Sequence, residues 1–203
     1  MERAWTRVAK EARTRVVHKQ LLRDTNVAGV AADDRRQLDM VVYGLTRSGA
    51  ALCCDATMVC PLDSRGRPTS RAADVDGAAL TRAEGRKAET YPELVAGPAG
   101  RLVVLACVTG GRWNGGAQRF VRSLARHRAC EAPAPLRRSA EGAWRTRWWG
   151  LLSIAAQDAL AATLNREGHL ALGGPAPDVD VPLGDVLVDA AVAGAPSRLP
   201  LRQ

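Results

Sequence analysis

The stretch ALCCDATMVCPL, residues 51–62, is an apolar run of strand length that carries one carboxylate, Asp55, in its middle. A buried carboxylate is costly unless it is paired with a cation or bound to a metal. The run therefore predicts a buried strand, and its single charge predicts a functional or ion-paired position inside the fold.

A second strand precedes this one in the sequence. QLDMVVYG, residues 37–44, is rich in β-branched and aromatic residues and carries Asp39. In the segment LTRSG that follows, Gly49 can adopt the positive φ of a tight turn. The two strands form a predicted hairpin that brings Asp39 close to Asp55. The sequence leaves open whether both side chains face the same side, because a one-residue shift in register reverses every side chain.

The remaining segments predict an α/β fold. Helices are expected at 1–13, at 78–94 with a stop near Pro92, at 117–129, and at 136–164 as one long helix or a kinked pair. Further strands are expected at 14–24 and 101–111. The segment 101–111 is the most apolar strand and is expected at the centre of the sheet. The order helix, three strands, helix, strand, two helices predicts a mixed sheet flanked by helices. In the last helix, Trp144, Trp148 and Trp149 are expected to be core and interface anchors rather than base-stacking platforms.

A length of 203 residues suits one domain, residues 1–164, followed by a loosely structured tail at 165–203. No uncharged apolar run reaches the roughly 18 residues of a membrane span, and the N-terminal segment lacks the apolar core of a signal peptide. We therefore expect an intracellular protein, nuclear or cytoplasmic, with no membrane partner. The five cysteines have the spacing of neither a disulfide framework nor a zinc site, so they are expected to be reduced and mostly buried.

The net charge of +8 and the isoelectric point near 9.9 favour a polyanionic partner, nucleic acid above all. The excess is concentrated between residues 112 and 147, where nine arginines stand against two glutamates. Candidate nucleic-acid contacts are Arg112, Arg119, Arg122 and Arg126. The alternative is a solvated basic face, because a chain rich in Ala, Arg, Gly and Pro can carry arginine without a specific function.

Two acidic residues, one lysine and one tyrosine make up the candidate catalytic group. If Asp39 and Asp55 face the same side, they form a pair of hard oxygen ligands suited to Mg²⁺ or Mn²⁺. Lys87 lies on the helix that follows, and Tyr91 lies one turn further on the same face. Each residue also has an ordinary interpretation: Asp39 in a turn network, Asp55 in a structural ion pair, and Lys87 as a surface lysine.

This arrangement resembles the PD-(D/E)xK nuclease superfamily, and more narrowly the restriction-like endonuclease domain of site-specific non-LTR retrotransposons. Four segments in order carry the resemblance: RRQLDMVVYG, CCDATMVCPL, EGRKAETYPEL and LVVLACVTGGRWNGGAQRFV. The resemblance covers about residues 14–160 and implies a restriction-endonuclease-like αβββαβα core.

The resemblance implies a metal-dependent endonuclease that cuts DNA during retrotransposon integration. Asp39 and Asp55 would hold Mg²⁺ or Mn²⁺, with the backbone carbonyl of Ala56 as a third ligand. Lys87 would orient the attacking water or neutralise developing charge, and Tyr91 matches the tyrosine that follows the family's lysine. The implied partners are DNA, and also RNA or a reverse transcriptase on a parent polyprotein, of which this chain is expected to be a fragment.

The chain departs from the family pattern at several positions. Thr57 occupies the superfamily's usual lysine position, Leu38 replaces a proline, and Val108 stands where relatives often carry a glutamate. The missing acid favours a second hypothesis, a catalytically inactive DNA-binding remnant. A third hypothesis is an unrelated α/β module that binds a nucleotide, but no glycine-rich loop lies between a strand and a helix in the phosphate-binding pattern.

Overall fold

A computed structural model describes residues 1–46, 48–96 and 100–164, together with 182, 184 and 186–188. The tail predicted at 165–203 lies outside the described residues except at those last five positions. The helices are α1 (Glu2–Glu11), α2 (Ala78–Thr90), α3 (Pro92–Ala96), α4 (Gly115–Ala129) and α5 (Arg137–Leu164), and the strands are β1 (Arg15–Leu21), β2 (Gln37–Tyr43), β3 (Ala51–Val59) and β4 (Gly100–Val108). Among these described helices, none has both the length and the apolar character needed to cross a bilayer.

The four strands form one mixed sheet in the order β1-β2-β3-β4. The first three are antiparallel neighbours, and β4 runs parallel to β3 after a crossover through α2 and α3. Gly49 has φ of 73° in the turn before β3, as the hairpin prediction required. The predicted α/β class, with a mixed sheet flanked by helices, is confirmed.

Strand β4 lies at an edge of the described sheet, so its predicted central position is wrong. Its apolar character has another cause, because helices cover both of its faces. Val104 and Ala106 pack in one cluster with residues of α2, whereas Leu105 and Cys107 pack in another with residues of α4. An edge strand that is covered on both faces needs the same continuous apolar sequence as a central one.

Helices α1, α4 and α5 cover one face of the sheet and enclose the larger part of the core. Trp144 and Trp148 are buried there, as predicted for core anchors, whereas Trp149 is only partly buried. Glu11 joins two of these helices, because its carboxylate accepts a hydrogen bond of 2.9 Å from Nε1 of Trp148 and pairs with Nε of Arg147 at 3.1 Å.

The helix predicted at 78–94 is divided at Tyr91, between the end of α2 and the start of α3. Pro92 explains the break, because proline lacks an N–H and disfavours helical geometry at the preceding residue. Tyr91 accordingly has φ −127° and ψ 58°. The break directs the Tyr91 side chain, which is 4% exposed, into a second core cluster, separate from the one that α1, α4 and α5 enclose. Leu94 packs in the same cluster.

The five cysteines are all free thiols. Cys53, Cys54 and Cys107 are buried, and Cys60 and Cys130 are exposed. Burial raises the pKa of the Cys53 and Cys107 thiols to about 11, which keeps both protonated at neutral pH. The adjacent cysteines of β3 therefore serve as small packing residues around Asp55.

Candidate active site

Asp39 and Asp55 occupy facing positions on the neighbouring strands β2 and β3. The register pairs Met40 with Cys54 and Val41 with Cys53, so one further step places Asp39 opposite Asp55. Residues directly opposite one another on antiparallel strands point to the same face of the sheet. The register that the sequence left open is therefore the one in which the two carboxylates lie on one side.

Lys87 projects from α2 towards Asp55. Its Nζ lies 2.8 Å from Oδ1 of Asp55, and the two side chains are 29% and 6% exposed, respectively. A charge-assisted contact of this length is strong, and it compensates for the burial of the carboxylate. The structure thus brings together the acid of β3 and the lysine of the following helix, as the motif order predicted.

Asp39 has a different environment, in which negative charge accumulates. Burial raises the pKa of its carboxyl, the neighbouring charges of Asp55 and Glu2 raise it further, and a hydrogen bond from Ala56 acts in the opposite direction. The net shift is upward. A cation placed between these carboxylates would relieve the repulsion, because it favours the ionised form of each acid.

Ala56 contributes its backbone to this site. Its N–H donates to Oδ2 of Asp39 at 2.7 Å, so the carboxylate has a fixed orientation. In a strand, the N–H and C=O of one residue point to the same neighbouring strand, so the carbonyl of Ala56 also faces β2. This direction is compatible with the role that the family resemblance implies for that carbonyl.

Tyr91 supports the site from the α2–α3 break. Its hydroxyl donates to the carbonyl of Gln37 at 3.0 Å, at the start of the strand that carries Asp39. Burial, followed by the charge of Asp55, raises the pKa of this hydroxyl, so the phenol stays protonated at neutral pH. The geometry gives Tyr91 a positioning contact beside the two carboxylates.

Two residues of this site were not among the sequence candidates. Glu2, in the first turn of α1, interacts with Asp39. Its Oε1 also forms an ion pair with Nζ of Lys19 at 3.1 Å. Lys19 has φ of 53° inside β1, and the register places it opposite Asp39. Left-handed backbone at a non-glycine strand residue is uncommon and concentrates at functional sites.

Sequence signals for these two residues differ in strength. An acid in the first helical turn is ordinarily explained by the helix dipole, so Glu2 carried no signal of its own. Lys19 is one of only three lysines among 29 basic residues, and that rarity could have marked it.

The pair of acids fits a magnesium or manganese ion. Within the described residues, no group of three or more His, Cys, Asp and Glu side chains converges as a metal cluster. Mg²⁺ is usually bound by only one or two carboxylates, with waters and substrate phosphates completing its coordination. Asp39, Asp55 and the carbonyl of Ala56 supply oxygen donors of that kind.

The four arginines singled out as nucleic-acid contacts are all exposed. Three of them have the spacing of one stripe along α4: Arg119, Arg122 and Arg126. Nε of Arg126 lies 3.9 Å from Oε2 of Glu141. Arg112 forms an ion pair with Asp76 outside that stripe. Another arginine of α4, Arg128, is 8% exposed and lies over the ring of Trp144, so it belongs to the core instead.

Comparisons of this chain with protein-family models, with curated proteins and with solved structures gave no match. The similarity to restriction-like endonucleases is therefore carried by the motif residues alone. The geometry around Asp39, Asp55 and Lys87 is the structural evidence that bears on function.

Proposed function

We propose that this chain is a metal-dependent endonuclease domain that hydrolyses DNA phosphodiester bonds, with a restriction-endonuclease-like core of the kind found in site-specific non-LTR retrotransposons. One observation carries the proposal. Asp39 and Asp55 share one side of the hairpin, and the ammonium of Lys87 lies 2.8 Å from the second acid. The order of described elements, one helix, three strands, a helical crossover and a parallel strand, agrees with the core of that superfamily.

The residues of this chain have separate parts in the proposed reaction. Bound Mg²⁺ or Mn²⁺ would supply Lewis-acid stabilisation of the phosphate and an activated water. Asp39 and Asp55 would hold the cation, and the Ala56 amide keeps the first of them in a fixed orientation. The ammonium of Lys87 neutralises charge that develops on the phosphate oxygens.

A nicking assay on supercoiled plasmid DNA tests this assignment. Cleavage is expected with Mg²⁺ or Mn²⁺ and is expected to cease when the ions are chelated. Asp55→Asn and Lys87→Met should each abolish cleavage, because they remove a ligand and a compensating charge. Asp158→Asn, at an exposed position of α5, is the matched control and should cleave like the wild type. Unchanged cleavage by Asp55→Asn would refute the catalytic assignment.

A second candidate function is an inactive DNA-binding remnant of such a domain. Val108 favours it, since a hydrophobic side chain stands where relatives often carry an acid. This candidate predicts salt-dependent DNA binding that does not change with Mg²⁺, together with no cleavage under any metal condition. Restored cleavage in Val108→Glu would identify the missing acid as the cause of inactivity.

A further inference from the structure

Helices α4 and α5, together with Trp113 just before α4, line an open, cleft-like cavity of about 190 Å³ on the side of the sheet opposite to α2. Among the described residues, five side chains line it: Trp113, Gln118, Arg122, Arg145 and Trp149. The cavity is distinct from the candidate active site, because Asp39, Asp55 and Lys87 are not among its described lining residues. Its lining has two chemical parts, one cationic and one aromatic.

The cationic part consists of the guanidinium groups of Arg122 and Arg145. Both residues are exposed, and no carboxylate of the described residues lines the cavity. Within the described part of the chain, neither guanidinium pairs with an acidic side chain. Two uncompensated guanidinium groups at one cleft match the planar, bidentate recognition of a phosphate group.

The aromatic part consists of two indole rings. Trp113 is 8% exposed, and its ring centroid lies 5.6 Å from that of Trp149 at an interplanar angle of 45°. Trp149 differs from its buried neighbours in α5 because its side chain keeps exposed surface. A partly exposed indole beside a guanidinium is the combination on which nucleic-acid bases stack without sequence preference.

We propose that this cleft binds one unstacked nucleotide of a single nucleic-acid strand, with the base against Trp149 and the phosphate between Arg122 and Arg145. Pockets for drug-sized ligands have volumes of roughly 300–1,000 Å³, so a cavity of about 190 Å³ suits a single ring and phosphate. Arg119 and Arg126 extend the cationic surface along α4 on either side of Arg122. The inference rests on the proposed function only in taking nucleic acid as the ligand.

The test compares a fluorescent oligothymidine with an abasic oligonucleotide that has the same number of phosphates. Fluorescence anisotropy is measured in chelator, so that no cleavage chemistry is involved. The wild type is expected to prefer the oligothymidine. Trp149→Leu, which keeps an apolar side chain and is less disruptive than Trp149→Ala, should weaken oligothymidine binding by about tenfold or more and remove the preference.

The phosphate contacts require a separate measurement. Arg122→Gln and Arg145→Gln should each weaken binding of both oligonucleotides and lower the slope of log affinity against log salt by about 0.7. The controls are Ile154→Ala, at a residue of α5 that is 62% exposed, and Arg65→Gln, at an exposed residue outside the cleft. Both controls should retain the preference for the oligothymidine.

Two results would overturn the inference: equal binding of the two oligonucleotides by the wild type, or an unchanged preference in Trp149→Leu. An arginine variant that behaves like Arg65→Gln would overturn the phosphate contact. These outcomes are independent of the nuclease assignment. A protein that prefers the oligothymidine through Trp149 but never cleaves DNA supports the nucleotide cleft and refutes the nuclease proposal.

Discussion

Removing the ammonium of Lys87 is expected to destabilise the protein more than removing the charge of its partner Asp55. The Asp55 side chain is 6% exposed, so Lys87→Met leaves a buried carboxylate unpaired. The Lys87 side chain is 29% exposed, so Asp55→Asn leaves an ammonium that can reach water. An unpaired buried charge costs about 3–5 kcal/mol, whereas loss of a contact by a hydrated charge costs about 1 kcal/mol.

Urea unfolding followed by tryptophan fluorescence measures this asymmetry. In chelator, with a slope of about 2 kcal/mol per M urea, Lys87→Met should lower the midpoint by about 1.5 M or more and Asp55→Asn by about 0.5 M. The double variant should resemble Asp55→Asn, because no unpaired carboxylate remains. Mg²⁺ should restore part of the stability of Lys87→Met, since a bound cation replaces the missing positive charge.

The matched control is Arg86→Met, which removes a cation from an exposed position of the same helix. Its midpoint should stay close to that of the wild type. If Asp55→Asn proves as destabilising as Lys87→Met, burial does not control the cost of separating this pair, and the reasoning is refuted.

Three further changes test contacts in the site and in the helices around it. Asn114→Ala should lower the free energy of unfolding in urea by about 3 kcal/mol, because it removes the N-cap of α4 and the donor to the buried carbonyl of Val104. Asn114→Asp, which keeps only the acceptor, should recover less than half of that loss. Asp39→Asn should raise Tm in chelator by about 2 °C or more, since it removes a carboxylate whose ionisation the fold disfavours, and it should abolish cleavage. For Glu11, burial acts to raise the pKa, but hydrogen bonds from Arg147 and Trp148 outweigh it and hold the pKa below the ordinary 4.5. The Tm advantage of the wild type over Glu11→Gln should therefore be present above pH 4.5 and be lost as the pH falls through the lower folded pKa. A pH-independent difference between the two would contradict that linkage.

The secondary structure around the hairpin could be predicted because its signals are local. Apolar runs with turn residues between them specify β2 and β3, and Pro92 specifies the helix break within one residue. The edge position of β4 could not be predicted in the same way. The sequence shows that both faces of this strand are apolar and must be covered. It does not show whether the strand has a neighbouring strand on each side, because helices cover the faces of an edge strand as well as those of a central one.

The candidate site was only partly predictable for a related reason. Asp39, Asp55 and Lys87 could be chosen because their residue types and their order along the chain are informative. The approach of Glu2 to Asp39 depends on how α1 packs across β1, and the left-handed backbone of Lys19 depends on its place beside that pair. Trp149 lies beside buried residues of the same helix, so the spacing of apolar residues did not show that its side chain is partly exposed.

Asn114 connects the helix that carries Lys87 to the helix that carries the basic stripe. Its side chain accepts from the Ala117 N–H at the start of α4 and donates to Oε1 of Glu84 on α2 at 2.5 Å. A Cβ at Gly116 would lie 2.9 Å from the carbonyl oxygen of Val104, so this end of α4 is seated directly on β4. Asn114 and Gly116 therefore fix the position of the basic stripe on α4 relative to α2 and its Lys87. If the chain binds DNA as proposed, the arginines of α4 would hold the DNA backbone at a constant distance from the two acids.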